Sequence, residues 1–243
     1  MADPRTSIIS ERLARITRII AVSSGKGGVG KSMVATTLAL ILSKEGCKVG
    51  LFDLDFTSPS THTILGARNA QPTEDKGLIP PSINGLDYMS LIYYTNDQSA
   101  PLRGTDTSNA LIELLAVTRW GQLDYLILDM PPGIGDAVLD LIRFVKCVEF
   151  IIVTTPSQLA FKTVEKLSSL LKDLEVPIVG VVENMKMDQG DIIRQKTEKL
   201  GLDFLGGISY DPNIEHAIGN PEALLNTAIA QRTQEIAKML QAQ

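Results

Sequence analysis

Two lysines and three aspartates hold the chemistry in this sequence. The run Gly25-Lys26-Gly27-Gly28-Val29-Gly30-Lys31-Ser32 has the G-x-x-x-x-G-K-[ST] spacing of a phosphate-binding loop. Glycines let the backbone close on an anion, Lys31 can reach β- and γ-phosphates, and the Ser32 hydroxyl can ligate Mg²⁺. That leaves Lys26, a second cation in a loop that ordinarily needs one. In "LFDLDFTSPS", residues 51 to 60, alternation along an extended segment puts Asp53 and Asp55 on one side. Either aspartate alone would be an ordinary turn residue, but the pair behind a strand, in a chain with a phosphate loop, reads as functional. In "YLILDMPPGIGD", residues 125 to 136, an apolar strand delivers Asp129, and a carboxylate there is costly without a cation. It can hold a metal-bound water opposite Ser32. Pro131-Pro132-Gly133 then makes a stiff corner with a pliable exit, which a γ-phosphate could order.

Such residues work only if strands present them at a common edge. Apolar, strand-like runs are expected at Ile16 to Ser23, Lys48 to Asp53, Leu86 to Leu91, Tyr125 to Asp129, Phe150 to Thr155, Ile178 to Val182 and Phe204 to Gly207. Amphipathic helical stretches fall between several of them, including Ala160 to Leu174 and Ile192 to Leu200. A further helix follows the phosphate loop from Met33 to Leu42, ending near Gly46, and its free amides and dipole point at the phosphates. Continuous apolar strands with helical crossovers imply an α/β fold of three layers, a mostly parallel central sheet with helices on both faces. Ligands in such folds bind beyond the carboxyl ends of the strands, and each chemistry-bearing segment does follow a strand.

The composition narrows the function. A chain of 243 residues, 44% hydrophobic, can bury a sizeable core and is expected to form one domain over residues 1–243, with residues 1–15 as an N-terminal extension. A net charge of −5 argues against nucleic acid as the main partner. No apolar run is long enough for a membrane anchor, and "MADPRTSIISERLARITR" lacks a signal-peptide core, so a cytoplasmic location is expected. Cys47 and Cys147, without CxxC spacing, are expected to be reduced, packed thiols. His62 and His216 are isolated and read as surface or capping residues, and Asp136 as a helix N-cap.

Together "KGGVGKS", "DLD…PS", "DYLILDMPPGIGD", "VTTPSQLA" and "GVVENM" resemble the deviant Walker A ATPases of the MinD/ParA superclass, and within it the Mrp type. The similarity runs over nearly the whole chain from Ile16 onward. It implies a P-loop NTPase fold, ATP and ADP as ligands with Mg²⁺, and a nucleotide-dependent homodimer. Lys26 matches the lysine that in the family reaches the nucleotide of the other subunit, like an arginine finger built into the loop. Asp55 matches the residue that positions the attacking water, Asp53 the carboxylate near Mg²⁺ and Lys31, and Asp129 the Walker B residue; Ser32 completes the metal set. Gly25 through Met33 would contact the nucleotide. Asn184 matches the purine-reading asparagine, although it could also cap a turn, and Asp211-Pro212 resembles the segment that closes over the base.

The departures bear on function. Met33 replaces a threonine after Ser32. Cluster-carrying relatives have a CxxC shortly after "VENM", where this chain has Lys186, Met187 and Asp188, and the N-terminal extension lacks the four cysteines of some relatives. The expectation is an ATPase that assists iron–sulfur cluster or metalloenzyme assembly through a client metalloprotein or cluster-carrying partner, with no cluster on this chain. Alternatives are a MinD- or ParA-like positioning ATPase and a small-molecule kinase or ligase.

Overall fold

The computed structural model describes residues 3–67, 70–95, 105–187 and 190–242. In chain order the first elements are α1 (Arg5–Leu13), β1 (Ile16–Ser23), α2 (Lys31–Lys44), β2 (Val49–Asp53), α3 (Thr61–Leu65), β3 (Thr73–Glu74), β4 (Leu78–Ile79), β5 (Ser82–Ile83), β6 (Leu86–Ser90) and α4 (Ile92–Thr95). They are followed by α5 (Thr105–Val117), β7 (Leu123–Asp129), α6 (Asp136–Phe144), β8 (Val148–Thr154), α7 (Gln158–Asp173), β9 (Ile178–Lys186), α8 (Ile192–Lys199), β10 (Phe204–Ser209), α9 (Pro221–Leu224) and α10 (Ala228–Gln241).

Eight strands form one sheet in the order β10-β9-β8-β1-β7-β2-β6-β5, parallel except for the β5–β6 edge. The period-2 alternation of apolar strands feeds two separate cores. Ile19, Ala21, Leu126, Leu128, Phe150 and Ile152 face one core, and Ile20, Val22, Ile127, Ile151 and Val153 face the other. The first core is covered by α1, α5, α6, α7 and α8, the second by α2 and α10. This is the three-layer α/β fold with a mostly parallel sheet that the strand pattern implies.

The structure corrects three local expectations and adds an edge hairpin. Strand β9 runs on to Lys186, because Glu183 pairs with Thr154 and Gly207, and Lys186 with Ser209; Asn184 is therefore inside a strand, not past its end. The β5–β6 hairpin is too short to show a hydrophobic alternation, but its Asn84-Gly85 turn, with φ of 50° and 82°, is the left-handed pair that two-residue hairpins favour. Asp136 is the first residue of α6, whose N-cap is Gly135. Cys147 is exposed in the turn between α6 and β8, and only Cys47 is partly packed.

Residues 5–13 of the expected extension are a helix held to the body by buried Ile9 and Leu13. The C-terminal helix α10 buries Ile229, Ala230, Ile236, Ala237 and Leu240 and packs along α2. Among the described residues no helix is long and apolar enough to cross a membrane.

Candidate active site

The phosphate loop leaves β1 at Ser23 and enters α2 through Gly30, whose φ of 79° suits a residue without Cβ. Space demands glycine there as well, since a Cβ on Gly30 would overlap Asn184 Nδ2. Gly25 is equally constrained, because its Cβ position is filled by Thr163 of α7. The loop is thus pressed between β9 and α7. Asn184, buried in β9, donates from Nδ2 to the Val29 carbonyl at 2.9 Å. Behind the loop, Gly133 donates its amide to the Ser24 carbonyl at 2.8 Å, tying the Pro-Pro-Gly corner to the loop.

Lys31 lies at the base of this cradle. Its ammonium donates to Asp129 Oδ1 at 2.5 Å and to Ser32 Oγ at 3.2 Å. Asp129 is fully buried at the end of β7. Burial pushes its carboxyl up, and the Lys31 cation opposes that shift. Its second oxygen, Oδ2, is buried without a hydrogen-bond partner among the described residues. A buried, unsatisfied carboxylate oxygen beside the Ser32 hydroxyl is the donor set a hydrated Mg²⁺ would use, so the residues present fit the metal.

Asp53 pairs in register with Asp129 on the neighbouring strand. Desolvation, and then the charge of Asp129, push its carboxyl up to about 7, against the hydrogen bonds of Thr61. Asp55, the next aspartate along, is off the strand and accepts Thr57 Oγ1 at 2.8 Å and the Ser58 amide at 3.1 Å.

A cavity of about 550 Å³ opens over these groups, lined by residues 27–33, by Asp55, Ser60 and Pro132 among others. It is of a size common for small-molecule sites. The structure therefore gathers Gly27, Gly28, Val29, Gly30, Lys31, Ser32, Met33 and Asp55 on one cavity, with Asp129 bonded to Lys31 beneath. Gly25, Lys26, Asn184, Asp211 and Pro212 are not on its wall. Asp211 accepts the Asn213 amide at 2.9 Å, and Pro212 is exposed. Lys26 is exposed, and its ammonium has no partner among the described residues. Beyond Asn184, Lys186 lies 3.6 Å from both Glu183 and Asp191, and Met187 is 80% exposed. Asp188 lies outside the described residues.

Sequence reasoning overlooked Thr57, Thr61, Tyr88 and Thr163. The first two had a readable signal, the run of hydroxyl residues in "FTSPST" directly after an Asp-x-Asp pair. Tyr88 and Thr163 come from distant segments and carried none.

A family model described as the NUBPL iron-transfer P-loop NTPase, within ParA, matches residues 15–242. The chain belongs to that family. It is 45% identical over 175 residues to the iron-sulfur cluster carrier protein of Escherichia coli K12, covering 71% of this chain and 47% of the relative. The chain thus spans about half the length of that relative. A protein of the same description from Methanocaldococcus jannaschii is 35% identical over 251 residues, covering 96% of this chain and 87% of the relative. Among solved structures, the nucleotide-binding protein of Archaeoglobus fulgidus in complex with ADP is similar, with a TM-score of 0.74 and 30% identity over 95% of this chain and 93% of that one. The resemblance to Mrp-type ATPases of the MinD/ParA class is therefore a family relationship, and the chain carries its glycine loop and strand-end aspartates at the carboxyl edge of the sheet.

Proposed function

We propose that this chain is a Mg²⁺-dependent, ATP-hydrolysing switch that acts as a homodimer in iron–sulfur cluster or metalloenzyme assembly in the cytoplasm, one domain over residues 1–243, without ligating a cluster itself. The observation that carries the ATPase reading is the buried Lys31–Asp129 pair beneath a glycine loop that opens into the cavity.

The pair suggests an exchange of partners. An incoming γ-phosphate would offer Lys31 a stronger anion than Asp129, and the carboxylate so released would be one of the groups that hold Mg²⁺. Ser32 Oγ, which accepts from Lys31 at 3.2 Å, would hold the metal together with Asp129. Mg²⁺ held there would supply positive charge against that developing on the phosphates. Asp55 faces the same cavity and orients the attacking water. The free, exposed ammonium of Lys26 supplies charge to the nucleotide of a partner copy. Asn184 has Nδ2 committed to Val29, and no described residue donates to its Oδ1, which leaves an acceptor for the amino group of adenine, with Asp211-Pro212 closing over the base.

The assembly role rests on the family and on the descriptions its relatives carry. A client metalloprotein or a cluster-carrying partner would receive the output, and neither nucleic acid nor a membrane is part of the proposal. The burial of α10 against α2 supports this, because its apolar face is already used.

The deciding experiment is ATP binding and turnover with the purified protein. Lys31→Ala should weaken MgATP binding by about two orders of magnitude, as loss of several charge-assisted phosphate bonds requires, with an unchanged circular dichroism spectrum. Wild-type affinity in that variant by calorimetry would remove the assignment.

A further inference from the structure

The Asp53 carboxylate is saturated by its own chain. Oδ1 accepts the Asp55 amide at 3.1 Å. Oδ2 accepts the Ser60 and Thr61 amides, both at 3.2 Å, and the Thr61 hydroxyl at 2.6 Å. The Thr61 hydroxyl also meets Tyr88 Oη at 2.9 Å, and Tyr88 is fully buried on β6, next to β2 in the sheet. A carboxylate has roughly four lone-pair positions, and four donors use them. Asp53 itself is 1% exposed and is not on the cavity wall, whereas Asp55 and Ser60 are.

These bonds have a geometric consequence. One donor stands at the start of residues 54–61 and three at the end, so a single side chain draws both ends of the loop onto the tip of β2. The loop enclosed is the one that presents Asp55 to the cavity. Leu54 and Phe56 are buried and anchor the near end of the loop, while the Asp53 carboxyl group gathers its polar far end at Ser60 and Thr61.

We propose that Asp53 is a positioning residue that clasps residues 54–61 and so holds Asp55 at the phosphate edge, and that it is not a ligand of Mg²⁺. Thr61 is the second half of the clasp, since its amide and hydroxyl both serve Asp53 while Tyr88 fixes the hydroxyl from behind. The turnover arm of the test rests on the ATPase reading above; the exchange arm does not.

The test compares Asp53→Asn, Thr61→Val and Thr61→Ser with wild type. In nucleotide-free protein, amide hydrogen exchange at Ser60 and Thr61 should quicken at least about tenfold in Asp53→Asn and Thr61→Val, and return toward wild type in Thr61→Ser, which keeps the hydroxyl. In turnover, the first two variants should lose about tenfold or more in kcat, while ATP affinity and the Mg²⁺ concentration for half-maximal rate stay within about threefold. A merely structural role would not separate kcat from metal dependence in this way. The proposal is overturned if Asp53→Asn raises the half-saturating Mg²⁺ tenfold while Thr61→Val behaves as wild type, because that is the pattern of a metal ligand. It is also overturned if the Ser60 and Thr61 amides exchange as fast in wild type as in the variants. Should the wild-type protein hydrolyse no ATP, the ATPase reading fails and the exchange measurement alone decides the clasp.

Discussion

Asn184 Nδ2 donates to the Val29 carbonyl at 2.9 Å, joining strand β9 to the phosphate loop across 155 residues of sequence. The strand is shaped for this contact. Met185, the next residue, has φ of 58°, and the β9–β10 register shifts between Gly207 and Ser209, so a bulge turns the Asn184 side chain toward the loop.

The first prediction tests that tie. Asn184→Ala removes the donor and leaves a buried carbonyl unsatisfied, a cost of about 1–3 kcal/mol. Asn184→Asp sets a carboxylate oxygen against the same carbonyl and should be worse. The expected order of MgATP affinity is wild type, then Ala, then Asp, with the last weakened at least about tenfold. Wild-type affinity in both variants would mean that the loop holds its shape without Asn184.

Lys26 is the second. Because its ammonium is exposed and unpartnered among the described residues, Lys26→Ala should leave the melting temperature and monomeric ATP binding nearly unchanged. Nucleotide-dependent dimerisation and hydrolysis should both fail. Size-exclusion mass with and without MgATP, beside turnover, reads the result, and undiminished turnover would reduce the lysine to a loop residue.

The layers, the strand order of chemistry and the phosphate loop were legible in the sequence because each is written locally. "RIIAVSSGKGGVGKS" shows an apolar strand, a glycine turn and a helix start within one stretch. The partners of the strand-end carboxylates were not legible. Alternation would put Asp53 and Asp55 on one side, yet one faces inward to Thr61 and the other the cavity, since the chain leaves the strand between them. Asn184 looked like the residue after a strand because Glu183 ends the apolar run. Its tertiary bond to Val29, and Lys186 at 3.6 Å from Glu183, show how a polar pair continues inside a sheet. Contacts between distant segments are what a single sequence leaves unwritten.

Asp53 supplies a third prediction, on pH. Its folded pKa, pushed up to about 7 by burial and by Asp129, stands above the ordinary aspartate value near 3.9. The folded state therefore binds more protons than the unfolded state between those values. The contribution to stability is full below about pH 4 and is lost as pH rises through about 7, at up to about 1.4 kcal/mol per pH unit. Nucleotide-free protein in a chelator should thus lose this contribution and melt at a lower temperature at pH 7.5 than at pH 5, and Asp53→Asn should flatten that segment of the profile. A melting temperature that rises with pH equally in both proteins would show that Asp53 stays ionised in the fold.

The last prediction is that the chain does not assemble a cluster on its own thiols. Two copies would bring four cysteines, nominally enough for a cluster, so the question is placement. Cys47 lies between the end of α2 and the start of β2, half buried, with Gln241 Nε2 at 3.6 Å from its sulfur. Cys147 is exposed between α6 and the start of β8. Both therefore precede parallel strands, whereas the cavity and Lys26 follow strand ends, so a dimer built face to face across its nucleotides holds these thiols at the far edges of the two sheets. The segment after Asn184 offers Lys186, engaged near Glu183 and Asp191, and the exposed thioether of Met187, neither of which is a thiolate. Iron prefers thiolate sulfur in such sites, and no pair of thiolates stands at the nucleotide edge. Anaerobic reconstitution with iron and sulfide, followed by gel filtration, should leave substoichiometric iron and no visible chromophore on the dimer. A stoichiometric chromophore that vanishes in Cys47→Ser or Cys147→Ser would place the cluster on this chain and make it a carrier in its own right.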